Sequence, residues 1–88
     1  MLQITIVHCN NNTKIQEVID HDLHDVIATF DKDKGYIDLG PLTKYIGKDI
    51  IISHYNIKDN TMTFDYEQSK VLTKVDRDSD NMWFIEYE

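Results

Sequence analysis

The second half of the chain is an almost unbroken succession of strand-like segments, and this feature constrains the fold more than any other. Apolar and polar residues alternate from Thr61 to Tyr66, as they do in a strand with one buried face. Two polar stretches, residues 58–60 and 76–81, interrupt the pattern and have the composition of turns. The sequence therefore predicts two hairpins, which join Asp49–Ile57 to Thr61–Tyr66 and Lys70–Val75 to Met82–Tyr87.

The composition supports the same preference. Val, Ile, Thr, Tyr, Phe and Trp, which favour strands, number 33, whereas Ala, Leu, Glu, Met, Gln, Lys and Arg number 25. The chain has 88 residues, which is room for one small domain, residues 1–88. We therefore expect a mainly β (or α+β) single domain of antiparallel hairpins, with five to eight strands and one or two short helices.

Residues 13–30 have two interpretations. A first strand is predicted at Leu2–His8, and the asparagines that follow it favour a turn. Beyond that turn, helical spacing places several apolar residues on one half of a helical wheel: Ile15, Val18, Ile19, Leu23, Val26, Ile27 and Phe30. The clustered aspartates and histidines argue against a helix and favour a first segment at Lys14–Ile19, a break at residues 20–22, and a strand at His24–Asp31.

The middle of the chain contains its turn-forming residues. Residues 31–35 predict a turn into a strand at Tyr36–Leu39, with Gly35 at the position that needs a positive φ. Pro41 suits the first turn of a short helix over Leu42–Ile46, and Gly47 would end it.

Two groups of residues resemble metal sites incompletely. The run Asp31-Lys32-Asp33-Lys34-Gly35 resembles the start of an EF-hand calcium loop, but the ligand at its fifth position and the acid at its end are missing. The residue types of a zinc site occur at His8, Cys9, His21 and His24, without a CxxC pair. We expect a hairpin turn in the first case and ordinary surface or half-buried residues in the second, and we assign no metal and no cofactor.

Catalytic signatures are also incomplete. Ser53 and His54 are adjacent on a predicted strand and would face opposite sides of it, so they cannot act together as nucleophile and base. No nucleophile elbow or glycine-rich phosphate loop is present. The sequence therefore predicts a protein that is not an enzyme.

The charge is acidic and unevenly distributed. Sixteen acids against nine bases give a net charge of −7, which disfavours direct binding to nucleic acid or to anionic membranes. The acids concentrate in residues 17–38 and 76–88. If the fold joins these blocks, a recognition surface would comprise Asp20, Asp22, Asp25, Asp76, Asp78 and Asp80. The alternative is that these aspartates form turns on a solvated surface.

Two binding functions are consistent with these features. The first is a small acidic protein-binding module, in one form a phage-type inhibitor that mimics nucleic-acid charge and occupies the basic surface of a nucleic-acid-handling protein. The second is a β-rich accessory or structural module that pairs through a sheet edge or an apolar patch, with contacts from Tyr55, Tyr66, Trp83, Phe84 and Tyr87.

Two further expectations concern location and packing. The single cysteine, Cys9, and the lack of any long apolar run predict a cytoplasmic protein. Trp83 should be at least partly buried, because Met82, Phe84 and Ile85 flank it.

Overall fold

The computed structural model describes residues 1–88, and its strands form one mixed, six-stranded sheet of order β3-β2-β1-β4-β5-β6. The strands are β1 (Leu2–Cys9), β2 (Asn12–Asp20), β3 (Asp25–Thr29), β4 (Asp49–Lys58), β5 (Thr61–Arg77) and β6 (Trp83–Tyr87). A 3-10 helix at Gly40–Tyr45 lies in the connection between β3 and β4. The mainly β fold class predicted from the sequence is confirmed.

The centre of the sheet is a parallel pair. β1 runs parallel to β4 with Leu2 opposite Ile50 and Ile4 opposite Ile52, and it is antiparallel to β2 on its other side. All four of these side chains are essentially inaccessible to solvent. The connection between these parallel strands passes through β2, β3 and residues 30–48, and the last part, residues 30–48, is called the crossover below.

The crossover covers one face of the sheet. Ile37, Leu39, Leu42 and Tyr45 are buried and join the side chains of β1 and β4 in one apolar cluster. Parts of β6 pack against the same cluster. The core therefore lies on a single face of the sheet, covered by the crossover and by β6, the edge strand of the curled sheet.

β5 is unusually long because it has two different partners. Its first part pairs with β4 as far as Val71, and its second part pairs with β6 from Leu72 onward. The two halves that the sequence pattern separated, 61–66 and 70–75, are thus one continuous strand. Gln68 and Ser69 interrupt the apolar pattern without interrupting the strand.

The ambiguous segment 13–30 is β, and the helical alternative is wrong. β2 and β3 are joined by a turn at residues 21–24, close to the predicted break. The side chains spaced for a helix divide instead between the two faces of these strands, and a bulge between Val18 and Ile19 shifts their register.

The predicted strand at Tyr36–Leu39 is wrong. Residues 36–39 pair with no strand, because Ile37 and Leu39 are buried in the core as part of the crossover. Gly35 does adopt a positive φ, 79°, as the turn required. The predicted helix at Leu42–Ile46 is a 3-10 helix that begins two residues earlier, with Pro41 in its first turn.

Trp83 is half-buried, as predicted, and packs against the core. A Cβ atom on Gly40 would lie 3.4 Å from the edge of the Trp83 ring. The start of the 3-10 helix therefore lies next to the Trp83 ring of β6, and the tightest contact of such a Cβ atom would be with Asp38 Oδ1, at 3.1 Å.

Leu72 is the residue at which β5 changes partners, and it is completely buried. We expect Leu72→Ala to lower the free energy of unfolding by about 2–5 kcal/mol, because it leaves a cavity under both halves of β5. Leu23→Ala, the same change at an exposed turn residue, should alter it by less than about 0.5 kcal/mol. Chemical denaturation of both variants measures the difference, and equal effects would contradict this packing.

Candidate functional site

The outer edge of β5 is only half covered. Val71 exchanges two backbone hydrogen bonds with Glu88, of 2.9 and 3.0 Å, on the β6 side. Leu72 donates to Lys48 at 3.1 Å on the opposite side, toward β4. From Thr61 to Lys70, β5 has β4 on one side and no strand on the other. We call residues 61–70 the free edge.

The direction of the free backbone groups follows from this geometry. Hydrogen-bonding direction alternates along a strand, so Ser69 and Glu67 present their N–H and C=O groups to the same side as Val71. Both residues are exposed. Nearer the hairpin, Asp65 is the extra residue of a bulge, because Tyr66 pairs with His54 and Phe64 with Tyr55.

Large apolar side chains flank the free edge. Met62, Phe64 and Tyr66 have 48, 58 and 47% of their surface exposed. The Phe64 ring contacts Tyr55 edge to face, with centroids 5.5 Å apart. Phe64 and Met62 lie on the sheet face opposite to the core, whereas Tyr66 is on the core face beside His54.

A chain of hydrogen bonds crosses the sheet from the free edge. Gln68 Nε2 lies 3.0 Å from His54 Nε2, His54 Nδ1 lies 2.9 Å from His8 Nε2, and His8 Nδ1 lies 3.0 Å from Thr13 Oγ1. The His54 ring also stacks on Tyr66, with centroids 4.2 Å apart. These residues come from β5, β4, β1 and β2, so the chain joins the free edge to the centre of the sheet.

One arrangement of protons satisfies every member of this chain. The Gln68 amide donates to His54 Nε2, so the neutral His54 ring carries its proton on Nδ1 and donates to His8 Nε2. His8 then carries its proton on Nδ1 and donates to Thr13. Both imidazoles are neutral in this arrangement. His54 is buried, and its burial, together with the proximity of His8, lowers its pKa below 6.5, while Asp65 acts weakly in the opposite sense.

The structure places Asp20 inside the protein. Its side chain accepts a hydrogen bond of 2.6 Å from the Tyr45 hydroxyl and further bonds from the backbone N–H groups of Asp22 and Leu23. The Tyr45 hydrogen bond lowers the pKa of Asp20 despite its burial, and it raises the pKa of Tyr45 to about 12. Asp20 therefore fastens the end of β2 to the 3-10 helix and contributes little to an external surface.

The other five predicted acids are exposed and fall into two groups along the chain. Asp22 and Asp25 lie at the turn between β2 and β3, whereas Asp76 lies at the end of β5 and Asp78 and Asp80 lie in the connection from β5 to β6. Asp78 accepts hydrogen bonds from the backbone of Asp80 and Met82, so it shapes the second turn. Both ion pairs in the structure are made by the N-terminal amine, and no Lys or Arg neutralises these carboxylates.

The residues considered for zinc do not converge. His21 contacts Gln3, His24 lies exposed in the β2–β3 turn, and Cys9 is half-buried and free. No group of three His, Cys, Asp or Glu side chains is placed to hold a metal ion. The calcium-like run at residues 31–35 forms a turn in which Asp31 accepts hydrogen bonds from the backbone of Asp33 and Lys34. Ser53 and His54 lie on opposite faces of β4, as predicted.

No family model, curated protein or solved structure matches this chain. No helix in the structure has the length and apolar character that crossing a membrane requires.

Sequence reasoning missed the pairing of His8 with His54. The residues are 46 positions apart, and only the parallel alignment of β1 with β4 brings them together. The one available signal was a histidine on each of two predicted strands, which does not reveal that the strands are neighbours.

Stability should fall as the pH is lowered through the range in which histidine titrates. In the unfolded chain His54 binds a proton near pH 6.5, whereas in the native state its lowered pKa means that it binds one only at lower pH. Protonation therefore favours the unfolded state as the pH falls. Urea unfolding between pH 7.5 and 5.5 should therefore show decreasing stability, and His54→Gln should reduce the slope. His24→Asn, which removes an exposed histidine at a position with φ 52°, is the matched control. A slope unaffected by His54→Gln would contradict this arrangement.

Proposed function

We propose that this protein is a small acidic protein-binding module that takes an extended, basic segment of a partner protein onto the free edge of β5. The observation that supports the proposal is the unpaired edge at residues 61–70 of β5. β6 pairs with β5 only from Leu72 onward and leaves this edge uncovered. Addition of a strand to an exposed edge gives affinity through main-chain hydrogen bonds and specificity through alternate side chains.

The flanking side chains suit this mode of binding. An added strand would meet the outward backbone groups of Ser69 and Glu67 and would pass beside Phe64 and Tyr66. Exposed aromatic residues of this kind are enriched at protein interfaces, because they combine a large apolar area with a small entropy loss.

The charge of the edge favours a basic partner over a second copy of this chain. Asp65 and Glu67 are exposed near its middle. An antiparallel pairing of two copies centred there would bring four carboxylates close together, which is unfavourable. A partner strand with Lys or Arg at these positions would remove the repulsion, and the net charge of −7 would attract it over longer range.

An alternating Lys/Val decapeptide serves as a probe of the edge. It should shift the amide NMR signals of Ser69 and Glu67, whereas the peptide with Glu in place of Lys should not. Ser69→Pro removes an outward N–H that pairs with nothing in the chain, so the fold should persist while peptide affinity falls about tenfold. Ser69→Thr keeps the N–H and is the matched control. Equal peptide binding by the proline and threonine variants would rule out pairing at this edge.

The second candidate is an inhibitor that mimics nucleic-acid charge, of the type that phages encode. It is favoured by the exposed carboxylates of Asp25, Asp76, Asp78 and Asp80, which make no ion pair, and by that of Asp22, which pairs only with the N-terminal amine. Such a protein would act in the cytoplasm, where its free Cys9 stays reduced.

Replacement of these five aspartates by asparagine tests the second candidate. The change should leave stability equal or higher, because repulsion is relieved, and should abolish binding to a partner that duplex DNA or RNA displaces. A matched control removes five acids outside the two turns: Asp38→Asn, Asp49→Asn, Asp59→Asn, Glu86→Gln and Glu88→Gln. Equal loss in both variants would indicate an effect of net charge alone, and retention in both would exclude charge mimicry.

A further inference from the structure

An apolar cavity opens between the sheet and the β6 layer, away from the free edge of β5. Its volume is about 320 Å³, and 11 of its 14 lining residues are hydrophobic. Ile6 and Ile15 form the floor on the sheet, and Trp83 and Ile85 form part of the opposite wall. The cavity lies over the C-terminal half of β1 and the N-terminal half of β2.

The size and lining of the cavity indicate the kind of molecule that would fill it. Apolar cavities of about 150 Å³ stay dry and bind benzene, and ligand sites in proteins begin at about 300 Å³. The volume of this cavity is about twice that of the benzene-binding cavities and close to the lower limit for ligand sites. A body of two fused rings, or a branched hydrocarbon of that size, would fit.

One charged side chain lines this space. The ammonium of Lys14 lies 3.8 Å from the centroid of the Phe30 ring, and both residues line the cavity. Lys14 makes no ion pair with any carboxylate. Of the other polar atoms nearby, the Thr13 hydroxyl is already engaged by His8. Lys14 is an exposed residue, so its ammonium stands without a carboxylate partner beside a cavity whose lining is mainly hydrophobic.

We propose that this cavity binds a small organic carboxylate, whose hydrocarbon body occupies the apolar interior and whose charged group pairs with Lys14. The apolar walls supply the affinity through burial of hydrocarbon surface. Lys14 supplies the orientation and the preference for an anion, because its ammonium is already fixed over Phe30. This site is separate from the proposed edge interaction, and neither depends on the other.

The acidity of the protein makes the charge preference diagnostic. A net charge of −7 attracts cations and repels anions at any site that lacks a specific partner. Adventitious binding of an apolar molecule should therefore favour a cationic form. Preference for an anion requires a local positive charge that outweighs the overall field.

Three naphthalene derivatives of similar size test the proposal: 2-naphthoate, 2-naphthylmethanol and 2-naphthylmethylammonium. The indole N–H signal of Trp83 is a specific NMR reporter, because this is the chain's one tryptophan and it lines the cavity. We expect naphthoate to bind roughly fivefold more tightly than the alcohol and the ammonium compound to bind most weakly. No shift of the Trp83 signal with any probe, or tightest binding of the ammonium compound, would overturn the proposal.

Two kinds of variant separate the charge from the cavity. Lys14→Met should remove the preference for naphthoate over the alcohol while alcohol binding persists. Ile15→Trp, which fills the cavity from the floor, should abolish binding of all three probes. If that variant does not fold, Met82→Trp fills the space from the opposite, more exposed side. Unchanged selectivity after Lys14→Met, or undiminished binding in a folded, filled variant, would contradict the assignment.

Discussion

The structure depends on the division of β5 between two partners that lie on its opposite sides. At Val71 the backbone groups bind Glu88, and at Leu72 they bind Lys48, so the strand leaves β4 and joins β6 without a break. This change of partner places β6 at the edge of the sheet, where Trp83, Ile85 and Tyr87 pack against the apolar core. It also leaves residues 61–70 of β5 paired on one side. The free edge and the second layer are two consequences of one pairing arrangement.

The second layer is incomplete in a way that gives the molecule its distinctive surfaces. Leu39 and Leu42 of the crossover cover part of the apolar face of the sheet. The hydrogen bond from Tyr45 to Asp20 holds the 3-10 helix against the end of β2. An apolar cavity beside Lys14 remains between the sheet, the crossover and β6. Apart from Asp22, which pairs with the N-terminal amine, the exposed acids make no ion pair. The protein therefore combines an acidic exterior, an open strand edge and one apolar recess with an isolated cation.

Local structure could be predicted from the sequence wherever neighbouring residues determine it. The hairpin between β4 and β5 follows from the alternation around Asp59 and Asn60, and both residues adopt the positive φ that such a turn needs. The parallel pairing of β1 with β4, the burial of Ile37 and the contact of Asp20 with Tyr45 depend on residues far apart in the chain. Alternation cannot specify which strand lies beside which, so the His8–His54 pair and the cavity could not be predicted. The role of aspartates in turns could be predicted from the sequence, whereas the burial of Asp20 beside Tyr45 could not.

Amide hydrogen exchange in the free protein tests the division of β5 most directly. Alternation predicts that Gln68 and Lys70 are protected by β4 and that Val71 is protected by Glu88. Ser69 and Glu67 should exchange rapidly, because their N–H groups point to the free edge. Slow exchange at Ser69 and Glu67 would mean that the edge is already paired, and it would contradict both the fold described for β5 and the binding mode proposed for it.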